Sequence, residues 1–214
     1  MARLGRFLDL LAAANQRMNL TRLTDRPQAE LHHVADALTL LPFLPAQPHA
    51  LVDVGSGGGV PGIPLAIVRP DVEILLVEST KKKAAYLRDT AAALQLPNVS
   101  ISDQRAEDLG HSPARETFDI ATARAVAPLA FLAEWCLPLV KKGGKLLAMK
   151  GPRVHDELPD TAAALKRLNA APPVLHPVDL PGTEHHLIVE IIKQGRTDRR
   201  LPRPATAAKG RPLA

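Results

Sequence analysis

The sequence predicts an α/β fold with a mostly parallel, doubly wound sheet, helices on both faces, an antiparallel edge strand and helices at the N-terminus. Two observations support this prediction. Short apolar runs rich in β-branched residues alternate with stretches of helical periodicity along most of the 214 residues. A glycine-rich turn, residues 55–62, follows the first of these runs, as at the first turn of doubly wound sheets. No apolar run approaches the length of about 18 residues that a membrane span requires.

The first residues of the chain, to about residue 48, predict a helical segment that precedes the sheet. Apolar residues recur at helical spacing over residues 2–19, which predicts an amphipathic first helix rather than a cleaved targeting peptide. A second helix is expected over residues 27–44, because Pro27 suits the first position of a helix.

Five strands and three intervening helices are expected in the central part of the chain. The predicted strands are Leu51–Val54, Glu73–Val77, Val99–Ser102, Phe118–Thr122 and Lys145–Met149. The predicted helices between them cover residues 63–69, 80–94 and 128–140. Strands that alternate with helices form a parallel sheet, because each helical connection returns the chain across one face of the sheet.

The chain beyond the fifth strand predicts one more helix and an antiparallel hairpin. The helix is expected around residues 156–169, and two β-rich runs follow at Val174–Leu180 and His186–Ile192. The segment Pro181-Gly182-Thr183 joins these runs as a turn. A parallel sheet that ends in an antiparallel strand resembles the class I S-adenosylmethionine-dependent methyltransferase architecture.

The distribution of charge predicts a single domain, residues 1–192, followed by a basic C-terminal tail, residues 193–214. The tail holds seven lysines and arginines against one acid, a net charge of +6, whereas the whole chain carries +5. Three prolines and the lack of apolar periodicity predict a disordered tail. The tail either contacts nucleic-acid phosphates or keeps the protein in solution, and the sequence does not separate these alternatives.

The turn after the first predicted strand indicates a ligand site. Four of the five residues from Gly55 to Gly59 are glycines, which reach positive φ angles and let backbone N–H groups approach a ligand. Glu78 lies 23 positions beyond Gly55, near the spacing of about 20 residues at which a carboxylate binds ribose hydroxyls. A glycine turn without a ligand is the alternative, but so flexible a loop is costly to keep for packing alone.

Asp53 favours one nucleotide cofactor over another. Residues 57–62 read Gly-x-Gly-x-x-Gly, which also fits a dinucleotide such as NAD(P). A pyrophosphate over this loop would bring two negative charges near Asp53. S-adenosylmethionine has no phosphate and carries a sulfonium and an ammonium, so Asp53 and Glu78 suit it better. An NAD(P)-dependent oxidoreductase is the alternative.

Further candidates follow the third and fourth strands, at the sheet edge where ligands bind in open parallel sheets. The loop of residues 103–108 is either a contact for an adenine or a solvated acidic turn. Arg124 stands among small residues at the end of the fourth strand, an expensive place for a cation without an anionic partner. Lys81-Lys82-Lys83 begins a helix, where three positive charges interact unfavourably with the helix dipole. These lysines contact either RNA phosphates or solvent.

The chain lacks the residues that several other kinds of chemistry require. The single cysteine, Cys136, lies in an apolar helical pattern and fits a buried thiol better than a nucleophile. The neighbours in His32-His33 and in His185-His186 point in different directions, so no metal site is expected. The Asn/Asp-Pro-Pro-aromatic loop of amino-group methyltransferases is missing after the fourth strand. The sequence therefore favours an acceptor that is already nucleophilic, such as a ring nitrogen.

These motifs resemble those of the RsmG (GidB) family, methyltransferases that modify N7 of a guanosine in bacterial 16S ribosomal RNA. The similarity runs from about residue 17 to residue 192, and Pro61-Gly62-Ile63-Pro64-Leu65 separates this family from other methyltransferases. The other shared motifs are Asn19-Leu20-Thr21, His33 with Asp36, Asp53-Val54-Gly55-Ser56-Gly57, Arg124-Ala125, Lys150-Gly151 and His186-Leu187.

The resemblance implies a cytoplasmic 16S rRNA (guanine-N7)-methyltransferase that acts on guanine 527, either in free 16S rRNA or in a 30S assembly particle. It places the S-adenosylmethionine site on Gly55, Val60, Ala106, Glu107 and Arg124, to which the arguments above add Asp53, Gly57 and Glu78. Arg124 and Lys150 are candidates for positioning the cofactor carboxylate or an RNA phosphate.

The predicted chemistry needs little from the protein beyond positioning. Because N7 needs no deprotonation, no catalytic base is expected, and neither a metal nor a membrane partner is expected. The chain is expected to be a monomer. A noncatalytic RNA-binding protein is the remaining alternative.

Overall fold

Seven strands form one sheet in the computed structural model, which describes residues 2–47, 49–208 and 210–213. The strands are β1 Ala50–Val54, β2 Glu73–Val77, β3 Val99–Ser102, β4 Phe118–Arg124, β5 Val140–Lys150, β6 Val174–Pro177 and β7 Leu187–Ile192. All predicted strands are present, and β4 and β5 are longer than expected.

The strand order is β3-β2-β1-β4-β5-β7-β6. Neighbouring strands from β3 to β5 pair in parallel, and β7 runs antiparallel between β5 and β6. The predicted hairpin is confirmed, but the antiparallel strand lies one position inside the edge, which β6 forms. From β1 the chain first builds the sheet towards β3 and then continues on the other side with β4. This reversal is the topological switch point at which open α/β sheets bind ligands.

Helices cover both faces of the sheet, as the alternating pattern predicts. The helices are α1 Ala2–Asn15, α2 Arg26–Ala29, α3 Asp36–Leu38, α4 Gly62–Val68, α5 Lys81–Ala93, α6 Ala106–Leu109, α7 Leu129–Cys136, α8 Val154–Arg167 and α9 Ala205–Ala208. One apolar core includes Phe7, Ile63 and Leu87 from α1, α4 and α5, and a second includes Leu132 and Leu165 from α7 and α8. No helix in the described ranges is both long and apolar enough to cross a membrane.

The N-terminal helices differ from the prediction in detail. Helix α1 ends at Asn15, because its side chain bonds the following loop: Oδ1 accepts the N–H groups of Leu20 and Thr21, at 2.8 and 3.0 Å. The second predicted helix is a run over residues 26–38 in which a π-helical turn, Glu30–Ala35, separates α2 from α3. Turns of this kind are rare in proteins, and those that do occur often lie at functional sites.

The prediction of a disordered C-terminal tail is wrong for the described part of that segment. Arg203 donates to both carboxylate oxygens of Glu134 on α7, at 2.8 and 2.7 Å. Arg115 donates to four backbone carbonyls, three of them in the tail. Lys193 is fully buried and pairs with Glu116 at 2.8 Å. The basic composition suggested solvation, but these cations have specific acceptors that hold the segment against the domain.

Candidate active site

The glycine turn closes the carboxyl end of β1, at the switch point of the sheet. The N–H groups of Gly55 and Ser56 donate to the carbonyl oxygen of Val77 at 2.8 and 3.0 Å, which ties the turn to the end of β2. Gly55, Gly57 and Gly59 have φ angles of +75°, +51° and +92°. Residues with a Cβ rarely adopt this region, so the path of the turn requires glycine.

Close contacts also exclude side chains from three glycines of the turn. A Cβ on Gly55 would lie 2.6 Å from Cγ2 of Val126, a Cβ on Gly59 would lie 2.7 Å from Cγ1 of Ile63, and a Cβ on Gly62 would lie 2.3 Å from Cδ2 of Leu76. These distances are far below van der Waals contact. The turn is therefore packed tightly on its neighbours and forms a cradle with little freedom to rearrange.

A cleft of about 470 Å³, called here the cofactor cleft, lies beside this turn. Its volume falls in the range of small-molecule sites. Seven of the eight residues predicted to bind the cofactor line it: Gly55, Gly57, Val60, Glu78, Ala106, Glu107 and Arg124. The structure thus brings together residues from the carboxyl ends of four parallel strands. Lys83 also lines this cleft, whereas its predicted partners Lys81 and Lys82 are exposed and are not among the lining residues.

Glu78 holds the glycine turn and faces the cofactor cleft at once. Its side chain accepts the N–H of Gly57 at 3.1 Å through Oε2 and the N–H of Thr80 at 2.7 Å through Oε1. The residue is 8% exposed and lies on the wall of the cleft. A carboxylate has about four acceptor positions, so two remain for ligand hydroxyls. This arrangement fits the predicted contact with a ribose.

Asp53 does not line the cofactor cleft, contrary to the prediction that it faces the ligand. It is 1% exposed and accepts the hydroxyl of Thr122 at 3.0 Å and the N–H of Gly62 at 3.3 Å. Burial raises the pKa of Asp53 to about 6, although these hydrogen bonds oppose the shift. Asp53 therefore supports the start of α4 from beneath. Because Asp53 does not face the cleft, its charge does not exclude a pyrophosphate there.

Arg124 finds its anionic partner within the protein. Its guanidinium donates to Asp36 at 3.1 Å, to Nδ1 of His33 at 3.1 Å and to the carbonyl oxygen of His32. The π-helical turn supplies His32 and His33, and Asp36 follows it as the first residue of α3. Burial lowers the pKa of Arg124 and the charge of Asp36 opposes this, but an arginine stays charged in proteins.

His33 is neutral and its tautomer follows from its partners. Arg124 is a donor only, so Nδ1 of His33 must accept, and Nε2 then carries the proton and donates to the hydroxyl of Thr21 at 2.8 Å. Burial and the nearby Arg124 lower the pKa of His33 to about 4. His33 therefore links the loop after α1 to the end of β4.

A second cleft, of about 330 Å³, adjoins the first and shares Arg124 and Ala125 with it. Ala125 has a φ of +53°, which is strained for a residue with a Cβ. Lys150 lines this second cleft and not the first. Its Nζ donates to Glu157 at 2.7 Å and to the carbonyl oxygen of Ala127 at 3.1 Å. Of the two roles predicted for Lys150, contact with the cofactor carboxylate does not fit this position.

Some residues of the site were missed by sequence reasoning. Trp135 lines the cofactor cleft, although its apolar pattern indicated only a core position. Cys136, in the same pattern, is fully buried as predicted, and burial raises the pKa of its thiol. His33 and Asp36 were noted as a motif without a role, although their separation by three positions places them on one helix face. The described residues contain no cluster that could hold a metal ion.

A family model described as rRNA small subunit methyltransferase G matches residues 1–181. The chain belongs to this family. The relative of that name from Lactobacillus delbrueckii subsp. bulgaricus is 41% identical over 208 residues, which cover 95% of this chain and 87% of the relative. The relative from Sorangium cellulosum is 46% identical over 173 residues, 80% of this chain and 72% of the relative.

Membership in the family decides between the alternatives left open by the sequence. The chain is an S-adenosylmethionine-dependent methyltransferase, as the motifs predicted, and neither an oxidoreductase nor a noncatalytic binding protein. The seven residues of the predicted cofactor site that line one cleft are consistent with that activity.

Solved structures share the fold of this chain. An rRNA methylase from Streptococcus thermophilus superposes with a TM-score of 0.53 at 18% identity, covering 81% of this chain and 99% of that structure. A variant of the 16S rRNA adenine-N1 methyltransferase from Catenulisporales acidiphilia, solved with S-adenosylmethionine, gives a TM-score of 0.52 at 16% identity, covering 77% and 91%. The predicted class I methyltransferase fold is confirmed.

Proposed function

We propose that this chain transfers a methyl group from S-adenosylmethionine to N7 of a guanine in 16S ribosomal RNA, the guanine 527 of the family. The observation that carries the proposal is the cofactor cleft, where a glycine cradle, the Glu78 carboxylate and the start of α6 converge at the switch point. The name of the matching family, rRNA small subunit methyltransferase G, supports the choice of substrate.

The residues of the cleft fit S-adenosylmethionine. The missing side chain at Gly57 leaves room for a ligand against the backbone, and Glu78 has acceptor positions left for ribose hydroxyls. Ala106 and Glu107 line the cleft where an adenine is expected. When bound, S-adenosylmethionine supplies a methyl group made electrophilic by its sulfonium.

The state of His33 in the cleft favours an acceptor that needs no deprotonation. Its accepting nitrogen, Nδ1, is occupied by Arg124. His33 is therefore not arranged to take a proton from an amine. Guanine N7 carries an in-plane lone pair and meets this condition. The protein then contributes positioning and a fixed electrostatic environment.

The structure of RNA restricts where the target guanine lies. N7 faces the major groove, which is deep and narrow in A-form helices. The target is therefore in a loop or an opened segment, in free 16S rRNA or in a 30S assembly particle. This substrate places the enzyme in the cytoplasm, and a monomer suffices because each chain holds both clefts.

Methyl transfer to ribosomal RNA from cells that lack this modification tests the proposal. The protein is incubated with labelled S-adenosylmethionine and either deproteinised 16S rRNA or 30S particles, and the labelled nucleotide is mapped. One N7-methylguanine per 16S molecule is expected. Label on another atom, or no label from protein that binds S-adenosylhomocysteine, would contradict it.

A further inference from the structure

The second cleft is placed to hold the group that accepts the methyl. It meets the cofactor cleft at Arg124 and Ala125, so a ligand in one cleft can reach a ligand in the other. Transfer requires reacting atoms at about 3–3.5 Å, and only adjoining sites permit that approach.

The charges in the second cleft are already compensated. Arg124 pairs with Asp36 at 3.1 Å, and Lys150 pairs with Glu157 at 2.7 Å. An RNA phosphate would have to displace these partners. The remaining lining includes the apolar side chains of Leu23, Met149, Val178 and Leu187. A neutral, flat group such as a nucleobase fits this lining better than a phosphate.

His186 offers a base-reading group at the wall of this cleft. Its Nδ1 lies 3.0 Å from Asp36, which as a carboxylate accepts, so Nδ1 carries the proton. In the neutral ring, Nε2 then carries a lone pair, and among the described residues no partner bonds it. The side chain is 38% exposed, and the ring centroid lies 6.0 Å from that of His32. Histidine rings are among the surfaces on which splayed RNA bases stack.

We propose that the second cleft receives the target guanine and that His186, oriented by Asp36, binds the base through Nε2. An acceptor there pairs with the N1–H of guanine, whereas adenine presents a lone pair at its N1. Arg124 then stands between the two ligands and fixes the junction of the clefts. This inference rests on the proposed methyl transfer to guanine.

A steric block at Gly151 tests the location. Gly151 lines the second cleft, and a Cβ built on it meets no atom within 4 Å, so a larger side chain can be accommodated without displacing packed groups. Gly151→Trp is expected to lower methyl transfer to 16S rRNA at least tenfold, with a smaller loss in Gly151→Ala. The affinity for S-adenosylhomocysteine should stay within twofold. His185→Trp places the same side chain at an exposed position that lines neither cleft, and it should leave methyl transfer within twofold of the wild type.

Substitutions of His186 test the contact with the base. His186→Ala is expected to lower kcat/KM for 16S rRNA about tenfold with unchanged affinity for S-adenosylhomocysteine. His186→Gln, which keeps an acceptor at its tip, should recover part of that loss, and the loss should appear in kcat/KM without a change in the free energy of unfolding. His185→Ala is the matched control.

The outcomes separate this inference from the proposed function. If the wild type transfers no methyl group to guanine N7, the proposed function fails. If the wild type does so and Gly151→Trp is equally active, the location of the guanine is wrong. Weakened binding of S-adenosylhomocysteine by Gly151→Trp would assign the second cleft to the cofactor and also overturn the inference. Equal activity of His186→Ala and the wild type would remove the proposed base contact.

Discussion

Asp53 and His33 are buried titratable residues whose pKa values shift in unusual directions. The pKa of Asp53 is about 6 in the folded protein against 3.8 for a free side chain, so the folded state binds more protons in this interval. The stability that Asp53 contributes is present below pH 3.8 and is lost as the pH rises through 6. His33, with a folded pKa of about 4 against 6.5, contributes stability that is present above pH 6.5 and is lost as the pH falls towards 4.

Two variants are expected to change the slope of the free energy of unfolding against pH in opposite directions. Each shift corresponds to roughly 3 kcal/mol in the free energy of unfolding, so the two contributions largely cancel in the wild type between about pH 4 and 6.5. Relative to the wild type, Asp53→Asn should become more stable as the pH rises, and His33→Gln less stable. Urea unfolding at several pH values measures both slopes, and slopes of equal sign would refute the assignment.

The contact between Gly55 and Val126 is expected to limit substitution in the cradle. Gly55→Ala should lower the free energy of unfolding by about 1–3 kcal/mol, because it adds steric overlap to a strained φ angle. Gly57→Ala has a similarly positive φ but meets no atom closer than 3.8 Å, so it should cost less. Adding Val126→Ala should restore the part of the stability that the overlap costs, but not the part that the strained φ angle costs. Failure of that rescue in urea unfolding would show that the overlap is not the cause.

The sequence predicted which residues lie at the site better than it predicted the orientation of their side chains. Gly55, Glu78 and Arg124 were found because the carboxyl ends of parallel strands share one edge of the sheet. The orientation of Asp53 was wrong, because it depends on the hydroxyl of Thr122 in the neighbouring strand. Pairing between strands distant in the sequence sets that contact.

The ion pair between Arg203 and Glu134 joins the described C-terminal segment to α7. Arg203→Ala is expected to lower the free energy of unfolding by about 3–5 kcal/mol, because it leaves Glu134, whose side chain is 1% exposed, buried without its partner. Arg199→Ala, at an exposed position, should change stability by less than about 0.5 kcal/mol. Equal unfolding midpoints in urea for the two variants would indicate that this ion pair contributes nothing to folding.

The strands, the hairpin and most helices were predictable, since period-two and helical patterns and turn residues are local properties. The π-helical turn Glu30–Ala35 and the ordered tail were not. The first serves the contact of Arg124 with Asp36 across 88 positions, and the second depends on Arg203 reaching Glu134 across 69 positions. Composition alone could not indicate these distant partners.

For the whole molecule, the exposed lysines at the start of α5 are expected to contact RNA near the cofactor cleft. Lys81→Ala and Lys82→Ala should each weaken binding to 16S rRNA and reduce the slope of log affinity against log salt by about 0.7, the contribution of one phosphate contact to a single strand. Lys142→Ala, an exposed lysine near the opposite end of the sheet, is the control. Unchanged slopes for Lys81→Ala and Lys82→Ala would place these lysines on a solvated face.

Methyl transfer by this protein requires that the cofactor cleft bind an adenosyl cofactor through the glycine cradle and Glu78. Calorimetric titration with S-adenosylhomocysteine tests this claim most directly. One molecule is expected to bind per chain, and Glu78→Gln should lower the affinity at least tenfold, because a charge-assisted hydrogen bond is worth about 1.5–3 kcal/mol. No heat of binding in the wild type, or equal affinity in Glu78→Gln, would contradict the account.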